Sequence, residues 1–419
     1  MSDDLGLPPR RALPDDVRDR LRAEVRAGIG KPRRTKHVWY AAAAAVLVLA
    51  AGAVVATKTF REQPVAGPPP DPGNRLTLDP KAATAALDRC WAAVQTAGKK
   101  DRVPPRAEWV PLFTEVLGTD AVVAATAAGK PMFCESTETT VTLSDPAATP
   151  AYAPGTRVGL LLHSPTGVVA GVVDPGTASG FLGSRTEGGD TMSQSIRTSP
   201  VSGQFVAMTR SALWTTTLTV EQPSAPRAAV LPQAPPWLVM AVDRPVTAER
   251  TSPAGRALGD CLNFAETEVI PDAAAYAPGP LLETGDFQVV MGRLGDRVVV
   301  CETQPDYRRP GKTKFRAFAD FIGPQTRAAR TLTVDTLGHP ESGAPPGQSR
   351  HPFVAALPLT ATKATIDFGI GTTVEADVVD GMVAAWIPEN IGLSPEATAH
   401  VRARDAQNRV VYDGPLRLI

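Results

Sequence analysis

One short pattern, used twice, constrains this chain more than anything else in it. "AALDRCW" (Ala85–Trp91) and "RALGDCL" (Arg256–Leu262) share A-L-x-x-C, and each precedes a second cysteine that is followed by glutamate. Around those second cysteines, "VVAATAAGKPMFCES" (Val122–Ser136) aligns without a gap to "VVMGRLGDRVVVCET" (Val289–Thr303). The cysteines are 44 residues apart in the first copy and 40 in the second. A duplicated spacing of this kind marks two homologous units, each closed on itself. Four cysteines allow three pairings. The repeat symmetry selects Cys90 with Cys134 and Cys261 with Cys301 as two staples, one inside each unit. Such loops should each stabilise a unit by roughly 3–4 kcal/mol through restriction of the unfolded chain.

The glutamates after the cysteines, Glu135 and Glu302, also invite a reactive-thiol reading. An adjacent carboxylate raises a thiol's pKa, whereas a nucleophilic cysteine needs it lowered. In a strand, neighbouring side chains face opposite ways. The staple is therefore the better account of the cysteines, and the glutamates remain without a role.

Each unit opens with a helix. In "DPKAATAALDRCWAAVQTAG" Asp79 suits the N-cap and Pro80 the first turn, while Leu87, Trp91 and Val94 share a face beside Cys90. A hairpin follows, turning at "AAGK" or "LGDR". Alternating stretches such as "TTTLTV" and "TVEADVV" read as antiparallel strands, and "AHVRARDAQNRVVYDGPLRLI" as a last hairpin. The expectation is an α+β fold, with a helix packed on an antiparallel sheet, twice. The units span 79–245 and 246–419.

Upstream lies a different kind of segment. From Val38 to Thr57, "VWYAAAAAVLVLAAGAVVAT" carries no charge, and "KPRRTK" stands immediately before it. At about 1.5 Å rise per residue this run is roughly 30 Å long, enough to span a bilayer as a helix. The positive flank orients residues 1–37 to the cytoplasm and everything beyond residue 57 outside. A cleaved signal peptide is the alternative, but the preceding stretch is long for one. Within the tail, "LPDDVRDRLRAEVRAGIG" reads as a short amphipathic helix, suited to lipid headgroups or to a cytoplasmic protein partner. Residues 58–78 include the Pro/Gly-rich "EQPVAGPPPDPGNR", an extended spacer. All four cysteines fall on the outer side, as an oxidising compartment favours.

The 43 basic and 43 acidic residues cancel, so no electrostatic signal points to nucleic acid. The chain has no H-x-x-H or H-E-x-x-H, no G-x-S-x-G elbow, no phosphate-binding loop and no G-x-G-x-x-G. No catalytic, cofactor-binding or metal-ligating residue is assigned. The leading expectation is a membrane-anchored extracytoplasmic protein that binds or senses a cell-wall component or another protein. A transmembrane regulator acting through the cytoplasmic helix, and an envelope enzyme with a site formed only in the fold, are the alternatives.

"PRRALPDDVRDRLRAEV" followed by "RRTKHVWYAAAAAVLVLAAGAVVA" resembles the N-terminal regions of single-pass membrane proteins of high-GC Gram-positive bacteria, some of them described as anti-sigma-like. The resemblance covers about the first 60 residues. It implies a cytoplasmic tail and a single membrane helix. Zinc-binding anti-sigma factors carry H-x-x-x-C-x-x-C in that tail, and this chain has no cysteine there.

Overall fold

The structure, a computed structural model, describes residues 76–418 apart from 175–179, 187–190, 211–215, 222–227, 265–268, 308, 323–328, 333–336, 338–348 and 370. The helix expected in the tail, the span expected at Val38–Thr57 and most of the expected spacer lie outside the described residues. Among the described residues, no helix is long and apolar enough to cross a membrane. Residues 76–78, assigned to the spacer, already belong to the fold, since Leu76 packs into a core and Thr77 bridges Thr114.

The first helix, α1 (Pro80–Thr96), forms where the capping chemistry puts it. The Asp79 carboxylate accepts from the amides of Lys81 and Ala82 at 2.9 and 3.0 Å, and Pro80 occupies the first turn. Its inner face, Ala83, Ala86, Leu87, Cys90, Ala93 and Val94, is buried. That face lies on a five-stranded antiparallel sheet of β1 (Trp109–Leu117), β2 (Asp120–Ala127), β3 (Lys130–Ser136), β4 (Thr140–Leu143) and, after a long excursion, β13 (Val239–Val242). The helix reaches β3 through the disulfide Cys90–Cys134.

The excursion builds two further sheets. One orders β10 (Gln204–Met208), β7 (Val168–Val173), β6 (Val158–His163) and β5 (Ala151–Tyr152). The other orders β12 (Ala229–Val230), β11 (Thr216–Glu221), β8 (Phe181–Thr186) and β9 (Thr191–Ser195). Strand alternation sorts the layers. Val123 and Ala125 of β2 face the helix, whereas Val122 and Ala124 meet Leu162 and Ala170 of the second sheet. The second sheet's other face, with Leu160, Val169 and Phe205, meets Leu182, Leu218 and Val220 of the third. The order is helix, sheet, sheet, sheet.

The second repeat follows the same plan. Helix α2 (Pro253–Phe264) covers β14 (Ala277–Thr284), β15 (Phe287–Leu294), β16 (Arg297–Pro305) and β17 (Thr313–Phe321) and is joined to β16 by the disulfide Cys261–Cys301. Behind that sheet stand β18 (Arg330–Thr331), β19 (Pro352–Ala356) and β22 (Met382–Trp386), then β20 (Ala361–Asp367), β21 (Thr373–Asp377), β23 (Thr398–Asp405) and β24 (Val410–Arg417). Register matches residue for residue: Val123 pairs with Cys134 as Val290 pairs with Cys301. The likeness also reaches further back than the cysteine motifs. Pro111 and Pro278 stand at equivalent points, each beside a bulge in an edge strand, where a missing amide hydrogen is tolerated.

The α+β expectation is therefore corrected. Each repeat does carry a helix on a sheet, but the described residues hold two α-helices against six antiparallel sheets, and the fold is mostly β. The physical reason lies in the middle sheets. Strands buried on both faces, such as "VGLLLH" and "VVAGVV", are short apolar runs without the alternation that marks a half-buried strand in sequence.

Both disulfides sit in fully enclosed positions between helix and sheet, and no cysteine is free. Replacing Cys90 and Cys134 together by alanine should lower stability by about 4 kcal/mol, from the entropy of a loop of this length. Chemical denaturation should show the loss with a larger m-value, because the unfolded chain is then less constrained.

Candidate functional site

The densest gathering of buried charge lies where the two repeats meet. Asp120 opens β2 just after a turn at Gly118 (φ 66°). The three residues between β3 and β4, Thr137, Glu138 and Thr139, form a loop beside it. From the second repeat come Asp272, in the left-handed region at φ 58° and ahead of a single turn at Ala273–Ala275, and Arg297, the first residue of β16. Aspartate visits that backbone region more easily than most residues.

Arg297 is 3% exposed and bridges the two repeats. One terminal nitrogen, Nη1, donates to Asp120 Oδ1 and Oδ2 at 2.9 and 3.1 Å, and Nη2 donates to Asp272 Oδ2 at 2.6 Å. Its guanidinium carbon stands 5.8 Å from the centre of the Tyr276 ring. Asp272 is gripped by the first repeat as well. It accepts from the hydroxyls of Thr137 and Thr139 at 2.6 Å each, and from the amides of Glu138 and Thr139 at 3.1 Å each. A sealed cation with two anions is expensive to desolvate, and this many charge-assisted bonds offset the cost.

The backbone between the repeats is anchored at both ends. Arg89 of α1 donates to both carboxylate oxygens of Asp243, at 2.8 and 2.6 Å, and to the Thr137 carbonyl. Arg250 donates to the carbonyls of Tyr276 and Ala273 at 2.9 and 3.1 Å, and the Ala248 amide donates to the Ala274 carbonyl at 3.0 Å.

Electrostatics differ sharply among the three carboxyls. Burial pushes Asp120 up to about 6, against the pull of Arg297. Asp272 feels burial too, but its bonds to Thr137, Thr139 and Arg297 outweigh it and hold the carboxyl below the usual range. Glu135, on β3, is pushed up to about 7 by burial, with hydroxyl bonds from Thr166 and Ser164 opposing. Thr166 sits in the turn between β6 and β7 and donates directly to Glu135 Oε1. Glu135 thus lies on the opposite face of β3 from the disulfide, against the second sheet.

At 5, 2 and 3% exposure, Asp120, Glu135 and Arg297 are closed to any substrate in solution. The cluster joins rather than reacts. Among the described residues, no group of three or more His, Cys, Asp or Glu side chains is placed to hold a metal ion. The four cysteines singled out in the sequence form the two staples and take no part in the junction. Asp120, Asp272 and Arg297 carry no repeat signal in the sequence because they occupy non-equivalent positions: Asp120 aligns with Phe287, and Arg297 with Lys130. Comparing the copies reveals what they share, and the joint is made from what they do not.

A scan against protein-family models and a search of curated proteins return no match to this chain. The two disulfides point to an oxidising environment for the folded part.

Arg297→Met should cost about 3–5 kcal/mol, because Asp120 and Asp272 stay buried without their cation; Arg297→Met combined with Asp120→Leu should recover part of that loss. Thermal melts of both variants measure it. The pH profile has a definite sign. Glu135 and Asp120 bind protons more tightly in the folded state, so their contribution is greatest at low pH and is lost as pH rises from about 4 towards 7. Asp272 works the other way and loses its contribution as pH falls below its ordinary value of 3.8. Stability should therefore peak at mildly acidic pH, and Glu135→Gln should flatten the fall towards neutrality.

Proposed function

We propose that this chain is a membrane-anchored, extracytoplasmic binding or sensing protein, whose two stapled repeats present one rigid surface to a cell-wall component or another protein. The observation that supports it best is how the charge is spent. Arg297, Asp120 and Asp272 are sealed inside the joint and hold two enclosed repeats in a fixed tandem. A fixed tandem is useful to a protein that recognises an extended partner, because the spacing between contacts is set before binding.

The surface offers a place for that contact. On the edge strand β13, Val239 points inward, while Met240 and Val242 are 46% and 59% exposed, and Val246 beyond them is 48% exposed. An apolar row on a sheet edge is a docking feature in a protein that does not aggregate through it.

The test is retention of the full chain, in detergent micelles, on purified cell walls and on cross-linked envelope proteins. Retention on one of them is expected, and Val242→Glu should weaken it about tenfold, as loss of a central apolar contact does. Hydrolysis of the wall by the same preparation would overturn the reading in favour of an enzyme. Indifference to the envelope, with capture of a cytoplasmic protein through Met1–Lys36, would replace it with a transmembrane regulator.

A further inference from the structure

We infer that β17 is a docking edge for a second copy of this chain: two β17 strands pair antiparallel about Ala317, and each fills for the other the place that β13 fills in the first repeat. This edge is separate from the β13 surface, and the pairing holds whatever the repeats bind.

The two repeats differ at one sheet edge. In the first, β4 is covered by β13, which brings Val239 and Ala241 to the core beneath the helix. Register through the cysteines makes β17 the counterpart of β4, since Cys134 pairs with Leu143 as Cys301 pairs with Ala317. Among the described residues, no strand lies on the outer side of β17. The helices record the same difference. Counted from Cys90 and Cys261, Phe264 aligns with Ala93. Ala93 is 5% exposed and shares a core with Val239, whereas Phe264 is 62% exposed, its ring 5.8 Å from that of Phe315 on β17. An open phenylalanine beside an open edge is what one more strand would cover.

The backbone of β17 is oriented to receive that strand. The Asp306 amide donates to the Lys312 carbonyl and the Ile322 amide to the Asp296 carbonyl, each at 2.9 Å, so β16 is bonded to the even-numbered residues of β17. Thr313, Phe315, Ala319 and Phe321 therefore turn their amides and carbonyls outward. Val141 of β4 does the same towards β13, in a ladder that begins with the Asp243 amide on the Thr139 carbonyl at 3.0 Å. Ala317 already has a bonding partner, so the pairing rests on the residues to either side of it.

The sequence of the edge identifies its occupant. β17 reads "TKFRAFADF", and a two-fold axis through Ala317 sets Lys314 opposite Asp320 of the second copy, twice over. Phe315 then lies opposite Ala319, large against small, on the side where both pack beneath α2. Arg316 meets Phe318, repeating a contact that the single chain makes at 5.0 Å. Asp320 also bonds Arg330 Nη2 at 2.8 Å on the surface, where one carboxylate can serve two cations. Charged residues on an edge usually keep other strands away. Here their order attracts the strand's own copy.

Sedimentation of the full chain in detergent micelles tests it. The unaltered protein should dimerise as its concentration rises. Ala319→Pro removes an outward amide without touching the ladder to β16, and should leave monomer alone. Lys314→Asp sets like charges opposite each other at two places and should raise the dissociation constant about tenfold; adding Asp320→Lys should bring it back. A dimer held through the membrane segment would ignore all three changes. Monomer throughout, a dimer that survives Ala319→Pro or is indifferent to Lys314→Asp, or a loss that the reversed pair does not regain overturns the proposal. If Ala319→Pro does not fold, the charge reversal decides alone.

Discussion

A single guanidinium governs how this molecule is assembled. Arg297 lies sealed between Asp120 of one repeat and Asp272 of the other, and its bonds to both carboxylates tie the two repeats together. Apolar surfaces slide over one another at small cost, whereas three directional bonds to two carboxylates allow one arrangement. Buried ion pairs contribute little net stability once desolvation is counted, so their main product here is specificity of docking. Because the joint pairs non-equivalent positions, the second repeat does not offer the first repeat's docking acid again: Phe287 stands where Asp120 would be.

Within a repeat the layers are ordered by a different principle. The helix–sheet layer is closed covalently, with Cys90 and Cys134, or Cys261 and Cys301, tying a helix to the strand beneath it. The sheets behind it are held by burial alone, through residues that alternate between two cores along one strand. Both devices meet on β3 and β16, which carry a cysteine on the helix side and a buried glutamate immediately after it.

Much of this was legible in the sequence. The cysteine spacing, the Asp79–Pro80 cap and the hairpins turning at "AAGK" and "LGDR" are local features, and local features survive folding. The middle layers were not legible. Val168–Val173 is six small or β-branched residues, buried almost throughout, and nothing in such a run says that it faces a sheet on both sides. The joint was hidden for another reason. Asp120 and Arg297 each flank a hairpin turn, where charged residues normally meet solvent, so their burial follows from the docking of repeats and from no local pattern. The span Val38–Thr57 lies outside the described residues, and its assignment rests on its length and its lack of charge.

The glutamates that follow the cysteines now have a physical setting. A strand that turns a disulfide towards the helix must turn the next residue towards the second sheet, into a dry interface. A carboxyl is a costly choice there, since an aliphatic side chain would pack without penalty. At Glu135 the cost is met by the hydroxyls of Ser164 and Thr166 and by a raised affinity for a proton. Glu302 occupies the same register in the second repeat and is fully buried as well. Cys134 and Glu135 therefore fasten two layers from one strand: the disulfide side secures the helix, and the carboxyl side meets the second sheet through the Thr166 hydroxyl.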